Sequence, residues 1–377
     1  MVTIRRAALA DRVALFEFIE QAYSGRWQYK IPERWEWEFL HNPFLNDGEI
    51  PVFIALNEEG KVIGQSCSMM EKVKIGSGIF RVGWGVDNYV LPEYRNQGIA
   101  SKLQKLNDES NEIFMSLSMA EAPRRIKTKL GAVSLEPVPL YRRYHKYTAE
   151  VINDTVVNRF IKSDNISKRW LSALLKFTYL DRLLRFLIEK RNILGDRKLN
   201  NYSDPSIELH QVDHFPEEIN LLWDRLSPLF HAIIQRDYLH LNWKYVQQPH
   251  TNYVRFIARK NQEICGYLVL RKGEPPERRI GIIADLFADP QDAGLIKTLF
   301  TTAIFYFWKE KVDEIITATT IPEYQQILSE LRFYVTETEI PVMHANIQNE
   351  SMQTLDGQGR WFFGKSDHDW DQYPLAR

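Results

Sequence analysis

The sequence predicts a mixed α+β protein with two tandem domains, each a central, mostly antiparallel sheet flanked by helices. Three observations lead to this fold class. The chain has 377 residues, which exceeds the usual size of one hydrophobic core. Its hydrophobic content of 44% and aromatic content of 12% are those of a globular protein. Strand and helix signals alternate in the first half, and sequence blocks from that half recur in the second.

The first half begins with short elements that the local sequence pattern defines. Val13, Phe16 and Ile19 recur on one helical face, and the turn at residues 57–60 is typical of an antiparallel hairpin. In chain order, the predicted elements are a strand at 2–5, a helix at 11–22, a helix between Pro32 and Pro43, strands at 51–56 and from 61 onward, a strand at 82–91, a helix from 99, a strand at 113–119, a helix at 124–130 and an extended run at 132–140.

Residues 82–110 organise this half. The β-branched and aromatic run at 82–91 predicts a strand, and Pro92 ends it because proline has no N–H to donate. A helix follows Gly98, and the first N–H groups of a helix attract anions. Glycine lets a phosphate approach the backbone closely, while Arg95 adds a charge-assisted contact. The turn therefore predicts a phosphate site, although it matches neither the P-loop nor the dinucleotide-binding glycine pattern.

The same segment resembles motif A of the GNAT superfamily of N-acyltransferases. The stretch VLPEYRNQGIASKL matches the motif at Val90, Pro92, Tyr94, Arg95, Gly98 and Ala100. The resemblance covers about residues 1–150. It implies that backbone amides of the loop bind the pyrophosphate of acetyl-CoA or another acyl-CoA, and that the preceding strand pairs with the pantetheine arm. The implied donor-binding residues are Val90, Leu91, Arg95, Asn96, Gln97, Gly98, Ile99 and Ala100.

Acyl transfer to an amine needs a base for the ammonium, donors for the oxyanion and an acid for the departing thiolate. The resemblance implies a carboxylate base on the strand before the loop, and Asp87 is the best candidate there. Asp285 occupies the corresponding place in the second half, so a structural role for both aspartates is the alternative. Glu71 and Glu121, near the ends of neighbouring strands, are the other candidate bases.

The resemblance also implies an oxyanion donor and an acid. The donor is a backbone amide at about Val90 or Leu91. In the family the acid is commonly a tyrosine in the helix after the fifth strand, but here that position holds Lys127. Tyr141, with Tyr144 close by, lies downstream and is the candidate acid. Aromatic packing at a strand end is the alternative role for both tyrosines.

The second half repeats the first without its loop. Four blocks recur in the same order, 198 to 206 residues apart. The paired blocks begin at Trp37 and Trp243, Lys61 and Glu263, Asp87 and Asp285, and Lys129 and Glu330. Asp289 and Asp292 stand where the loop would be, and they would repel a pyrophosphate. We therefore predict a single acyl-CoA site in a domain at 1–150, followed by a degenerate GNAT-like domain at 206–377.

Residues 151–205 are predicted to form a basic helical linker between these domains. Within it, residues 168–191 combine a wide apolar stripe with many Lys and Arg residues. We favour a helix packed between the two halves, with its basic edge in solvent. A helix lying on a membrane surface is the less favoured alternative.

Composition limits the remaining functions. The 48 Lys and Arg residues nearly balance 49 Asp and Glu residues, which argues against a nucleic-acid partner. The sequence lacks an export signal and a run of spanning length, so we expect a cytoplasmic protein. Cys67 and Cys265 are expected to be buried, reduced thiols. The tail at 367–371 lacks supporting metal-ligand spacing, so we expect a solvated acidic tail and no metal.

These observations favour an N-acyltransferase that moves an acetyl or other short acyl group from acyl-CoA to a small-molecule amine. Family analogy suggests an amino sugar of a surface-polysaccharide pathway as the acceptor. One alternative is a Fem-type transferase that takes an aminoacyl group from tRNA, although the intact loop and the balanced charge argue against it. The other is a non-enzymatic module that binds acyl-CoA.

Overall fold

The computed structural model describes residues 2–25, 27–117, 121–129, 131–146, 186–187, 190, 204–273, 279–347 and 361–371. Its strands are β1 (Thr3–Arg6), β2 (Val52–Leu56), β3 (Val62–Ile75), β4 (Gly78–Val90), β5 (Ile113–Ser116), β6 (Val133–Ser134), β7 (Val138–Tyr144), β8 (Glu208–Val212), β9 (Ala232–Ile234), β10 (Tyr253–Lys260), β11 (Glu263–Gly273), β12 (Ile280–Ala288), β13 (Glu314–Ala318), β14 (Tyr334–Glu339), β15 (Val342–Ala345) and β16 (Trp361–Phe362). Its helices are α1 (Arg12–Ala22), α2 (Trp27–Lys30), α3 (Glu33–Phe39), α4 (Ile99–Glu109), α5 (Glu121–Lys129), α6 (Ile219–Leu226), α7 (Tyr238–Tyr245), α8 (Ala293–Lys309) and α9 (Pro322–Glu330). The helix predicted at 168–191 lies almost entirely outside the described residues.

The first sheet is built mainly from the first half of the chain. Its strands lie in the order β1-β2-β3-β4-β5-β15-β6, and β9 joins through β3 while carrying β16 on its other edge. All neighbours are antiparallel except the β4–β5 and β9–β16 pairs. Leu15 and Phe18 of α1 and Leu103 of α4 belong to the same buried core, which confirms that the helices flank the sheet.

The second sheet has the same strand arrangement. Its order is β8-β10-β11-β12-β13-β7-β14. Only the β12–β13 pair is parallel, as only β4–β5 is parallel at the corresponding place in the first sheet. Helix α8 contributes Leu299, Phe300 and Phe307 to the core beside this sheet. The mixed α+β class with two mostly antiparallel sheets, predicted from the sequence, is confirmed.

Each half of the chain inserts one strand between two strands of the other half's sheet, and the second half also adds β9 and β16 beside β3. Strand β7, from the first half, lies between β13 and β14, with Tyr141 opposite both Thr317 and Val335. Strand β15, from the second half, lies between β5 and β6, with Val342 opposite Ser116 on β5. The extended run predicted at 132–140 is therefore two strands, β6 and β7, in different sheets.

The last described segment, residues 361–371, is buried between the halves, so the prediction of a solvated acidic tail is wrong. Trp361 and Phe363 belong to the first core, whereas Phe362 belongs to the second. Successive side chains of an extended segment point to opposite sides, which lets one segment enter both cores. Of its aspartates, Asp367 pairs with the buried Arg236 at 2.9 Å, and Asp371 accepts a hydrogen bond from the hydroxyl of Tyr253 at 2.7 Å. The segment can keep these carboxylates inside the protein because buried side chains pair with them.

The two halves meet through a pair of tryptophans from matching sequence blocks. The rings of Trp37 on α3 and Trp243 on α7 stack with centroids 4.6 Å apart and planes 12° apart. Each indole N–H also donates to the backbone carbonyl of the other residue, at 3.0 Å and 3.4 Å. This reciprocal contact is the arrangement expected when two copies of one fold face each other. Both rings are buried in the first core.

Two further sequence expectations concern cysteines and membranes. Both cysteines are free, and Cys67 is buried as expected, whereas Cys265 is only partly buried. Within the described ranges, no helix has the length and apolar character needed to cross a membrane. The same ranges contain no group of three or more His, Cys, Asp or Glu side chains placed to hold a metal ion.

Truncation of Trp243 tests the contact between the halves. Trp243→Ala removes the stacked ring and its hydrogen bond, and we expect the free energy of unfolding to fall by about 3–5 kcal/mol in a urea titration. Trp308→Ala is the matched control, since that indole is 62% exposed on α8 and its loss should cost less than about 0.5 kcal/mol. Equal losses for the two variants would contradict the role of the stacked pair.

Candidate functional site

The predicted phosphate loop connects β4 to α4. Strand β4 ends at Val90, a short 3-10 turn spans Pro92–Tyr94, and α4 begins at Ile99. Two residues of the loop have left-handed backbone conformations, Asn96 with φ of 63° and Gly98 with φ of 76°. Such angles turn the chain sharply from the strand into the helix, and glycine adopts them without steric cost.

The N-terminus of α4 is open. No side chain caps this helix, so the N–H groups of Ile99, Ala100 and Ser101 have no partner within it. A Cβ built on Gly98 would have no heavy atom within 4 Å, so the position just before these amides is open. Arg95 ties the loop to the end of β4, since its Nε donates a hydrogen bond to the Val90 carbonyl at 3.0 Å. The arrangement fits a phosphate group, which needs N–H donors and a positive helix end.

A gap between β4 and β5 lies beside this loop. The two parallel strands pair only at residues 82–84 and 113–115. Beyond Trp84, β4 stays paired with β3 but not with β5. The β3–β4 register shifts around Asp87, whose φ of 50° marks a local distortion of the strand. Bulges bend the strand that carries them, and here the free edge of β4 leads directly to the loop.

The corresponding features of the second half are closed. Helix α8 is capped by Asp292, whose carboxylate accepts from the amide of Leu295 at 2.9 Å. The 361–371 segment lies across the region between β12 and β13. Gly364 forms a bridge with Thr319 after β13, and the Phe362 ring packs 5.9 Å from Phe287 of β12. In the second half, the 361–371 segment therefore occupies the position that corresponds to the gap between β4 and β5.

A buried ionic cluster lies next to the bulge of β4. Asp87 forms an ion pair with Lys30 of α2. Burial lowers the pKa of Lys30, but the adjacent Asp87 carboxylate and Tyr23 together outweigh this effect and leave the pKa raised. On α3, Arg34 Nε lies 3.4 Å from Glu38 Oε2, and both side chains are almost fully buried. The predicted base, Asp87, is thus held by a lysine within a larger group of charges.

Glu38 is the member of this cluster best suited to exchange a proton. Burial raises its pKa to about 7, Arg34 opposes the shift, and the nearby Asp87 and Asp369 carboxylates add to it. Its Oε1 atom is buried without a hydrogen-bond partner. A carboxyl group with a pKa near neutrality can both accept and release a proton under physiological conditions. The sequence analysis did not identify Glu38.

The C-terminal segment reaches the same region. The ring of His368 lies against Trp84, with centroids 5.5 Å apart, and its Nε2 is 3.2 Å from the Gly85 carbonyl oxygen on β4. Its Nδ1 is 2.5 Å from Asp369. Burial raises the pKa of Asp369, but His368, together with Arg34 and Lys30, outweighs burial and lowers it below the ordinary range. The segment therefore brings an ionised carboxylate close to Glu38.

The other predicted catalytic residues occupy different places. Glu71 is fully buried and bound by Lys244 Nζ and Trp84 Nε1, each at 2.7 Å, so its oxygens already have partners. Asp285 accepts from Tyr245 and Tyr267 in the second core, which supports the structural alternative for that aspartate. The side chain of Glu121 lies outside the described residues.

Tyr141 lies on β7 in the second sheet and belongs to the second core. Burial raises the pKa of its hydroxyl. Tyr144 ends the same strand and is also buried. The strand exchange moves both tyrosines out of the sheet that carries the loop. The acid role of Tyr141 stays a prediction.

Comparison with known proteins agrees with this geometry. A profile of the acetyltransferase (GNAT) family matches residues 14–108, which include Glu38, Asp87 and the whole loop. No curated protein sequence matches the chain. Residues 14–108 are therefore similar to the GNAT acetyltransferase family.

Solved structures with a similar fold are distant in sequence. A GCN5-related N-acetyltransferase from Anabaena variabilis has 12% identity and a TM-score of 0.58, over 92% of this chain and 73% of that one. A probable N-acyltransferase from Enterococcus faecalis has 11% identity and a TM-score of 0.57 over the same shares. The N-myristoyltransferase of Saccharomyces cerevisiae, solved with myristoyl-CoA, has 9% identity and a TM-score of 0.54 over 91% and 82%. At these identities the matches show the fold.

Glu38 makes the free energy of unfolding depend on pH. Its pKa is about 7 in the folded protein, against 4.5 for an ordinary glutamate, so the folded chain binds this proton more tightly. The resulting stabilisation is complete below pH 4.5 and is lost as the pH rises through about 7. Over that window, urea titrations should show wild type losing up to about 3 kcal/mol more than Glu38→Gln.

Glu36→Gln is the matched control for this measurement. Glu36 lies on the same helix but pairs with Arg12 in a partly exposed position. This variant should keep the pH dependence of wild type. If Glu38→Gln also keeps it, the raised pKa of Glu38 is wrong.

Proposed function

We propose that the chain is an N-acyltransferase that binds acyl-CoA in its first half and transfers a short acyl group, with acetyl tested first, to an amine. One observation carries the proposal: an uncapped helix N-terminus with free space before it adjoins a strand edge that has lost its neighbour. The match of residues 14–108 to the GNAT acetyltransferase family supports it.

The donor fits this arrangement in two parts. The pyrophosphate of CoA suits the N–H groups of Ile99, Ala100 and Ser101, since helix N-termini favour anions. The pantetheine arm is an extended chain with two amide groups. Such a chain can add to a free strand edge through main-chain hydrogen bonds, and the edge of β4 beyond Trp84 supplies one.

Proton removal from the acceptor is assigned to the buried cluster. An ammonium must lose a proton before its nitrogen can attack a thioester carbonyl, and a base works best when its pKa lies near the working pH. The pKa of Glu38 is about 7. Asp87 is the more exposed carboxylate of the cluster, and we propose that it draws the ammonium towards Glu38. The amide at Val90 or Leu91 stays the proposed oxyanion donor.

The second half does not take a donor of its own in this proposal. Its helix N-terminus is occupied by Asp292, and its strand gap is filled by residues 361–367. We propose that it arose as a second copy of the same fold and now forms one wall of the acceptor site. An amino sugar is the acceptor to test first, in a panel of primary amines.

Gly98→Glu tests the donor site. The added carboxylate would stand in the free space before the α4 amides and repel a pyrophosphate, so calorimetry should show binding of acetyl-CoA and CoA to wild type and none to the variant. At about one hundred times the dissociation constant, the ligand should stabilise wild type by roughly 2.7 kcal/mol.

Gly48→Glu is the matched control for Gly98→Glu. Gly48 also has a positive φ, of 69°, and open space around its Cβ, so the backbone strain and the added charge are comparable. It should bind acetyl-CoA as wild type does. Equal affinity of wild type and Gly98→Glu would overturn the donor site.

Glu38→Gln tests the base. The amide cannot take up the acceptor's proton, so we expect kcat for CoA release to fall about 10²–10⁴-fold while the dissociation constant for CoA stays unchanged. Glu36→Gln should keep the kcat of wild type. If Glu38→Gln keeps it as well, the proton leaves through another group and the assignment is wrong.

A further inference from the structure

Lys127 is a buried lysine at the point where β4 and β5 separate. It lies on α5, and its Nζ donates to the hydroxyl of Ser116 at 2.6 Å. Ser116 is the last residue of β5 and directly follows the final residue that pairs with β4, Met115. The Nζ atom also lies 3.8 Å from the ring centroid of Phe114. The amine thus occupies the apex of the gap.

Gly85 makes room for this amine on the opposite strand. A Cβ at Gly85 would lie 2.8 Å from the Ser116 hydroxyl and 3.2 Å from Lys127 Nζ. The first distance is shorter than real Cβ atoms show, so a larger residue would displace the Ser116 hydroxyl that accepts from the amine. Gly85 is the first residue of β4 beyond the β5 pairing. Lys127 Nζ therefore lies beside the first residue of each strand beyond their pairing, Gly85 and Ser116.

The surroundings of Lys127 do not supply a carboxylate partner. Among the described residues, none of the ion pairs within 4.0 Å includes its Nζ, and the Ser116 hydroxyl is its hydrogen-bond partner. A buried ammonium without a carboxylate is costly. Burial lowers the pKa of Lys127 to about 7, against a weaker opposing effect from Asp108. A methionine would fill the same space without that cost, so packing alone does not account for the amine.

Two pairs of titratable groups lie around the apex of the gap. Asp108 on α4 is paired with His344 of β15 at 2.8 Å. His368 of the C-terminal segment meets the carbonyl of Gly85 at 3.2 Å. Asp108 belongs to an existing pair and His368 is bound to Asp369. Lys127 is therefore the group at the apex whose proton is least committed to a carboxylate.

We propose that Lys127 is the general acid that protonates the thiolate of CoA as it leaves. The proposal rests on the acyltransferase function above. The attacking nitrogen forms a bond to the thioester carbonyl carbon, and the carbon–sulfur bond then breaks with its electron pair passing to sulfur. Sulfur takes a proton from the Lys127 ammonium, which becomes a neutral amine. Glu38 has already taken the ammonium proton before the attack, the nitrogen loses its second proton to solvent as the amide forms, and Lys127 regains a proton from solvent.

A lysine whose pKa is lowered towards 7 suits the role of an acid at this position. A thiol has an ordinary pKa of about 8.5, so a group with a pKa near 7 gives its proton to a thiolate readily. In its charged form it also attracts the developing negative charge on sulfur before the proton moves. An ordinary lysine, with a pKa of about 10.4, would hold its proton too firmly.

The first test reads the proton on Lys127 directly and does not depend on activity. Lysine-labelled full-length protein is titrated by NMR, and the side-chain signal missing from Lys127→Met is assigned to Lys127. We expect this signal to titrate near pH 7, whereas the exposed lysines titrate near about 10.4. Titration of Lys127 near pH 10 would overturn the proposal.

The second test separates an acid from a structural cation. Lys127→Met should lower kcat for CoA release about 10²–10⁴-fold and leave CoA binding measured by calorimetry unchanged. Lys127→Arg keeps the charge and the donor to Ser116 but cannot give up its proton, so it should lose as much activity. The wild-type rate should fall above about pH 7, and this alkaline limb should be absent from Lys127→Arg. Full activity in Lys127→Arg would show a structural role.

Lys129→Met is the matched control, because Lys129 is exposed on the same helix. It should behave as wild type in both tests. The outcomes for the two proposals differ. If wild type binds no acyl-CoA and acylates no amine, the proposed function fails and this assignment fails with it. If wild type acylates an amine and Lys127→Met is equally active, the function stands and the acid is another residue.

Discussion

The stacked contact between Trp37 and Trp243 sets the relation of the two halves, and the site depends on that relation. Their reciprocal hydrogen bonds hold α3 against α7. The residues that follow the two tryptophans then diverge. Glu38 turns towards Arg34 and the bulge of β4, while Lys244 neutralises Glu71 inside the first half. The residues that follow the two tryptophans therefore have different roles. Glu38 is a titratable carboxylate, and Lys244 neutralises the buried charge of Glu71.

The 361–371 segment breaks the symmetry between the halves. It occupies the gap of the second sheet through Phe362 and Gly364, and it continues to β4, where His368 meets Gly85. A strand edge that is already paired cannot take up an extended ligand. The same segment also places the negative charge of Asp369 near Glu38, where it helps to keep the proton on that glutamate. One buried segment therefore fills the gap of the second sheet and also helps to raise the pKa of Glu38 beside the first sheet.

The conformation of the loop at 95–100 was predictable from sequence because it depends on the local backbone. A strand, a proline, a glycine with positive φ and a helix are local signals, and the structure shows them at the expected residues. The charged groups around the loop were harder to predict. Asp87 was identified by its position on a strand, but its partner Lys30 is 57 residues away. Glu38 could not be distinguished from the other charged residues of its amphipathic helix, although the sequence repeat aligns it with Lys244, a residue of opposite charge.

The sequence by itself determined the fold class, the order of elements around the loop and the sharp turn from strand to helix at Gly98, since these follow from local propensity and hydrophobic period. Only the tertiary structure decided which strands exchange between the sheets, that the acidic tail is buried, and which ionisable groups share a low-dielectric environment. Those outcomes depend on contacts between residues far apart in the chain, and pKa values respond to distance and burial. Lys127 is an example of what the tertiary structure decided. The local sequence is that of a solvent-exposed helix, whereas the lowered pKa follows from burial beside the gap between β4 and β5.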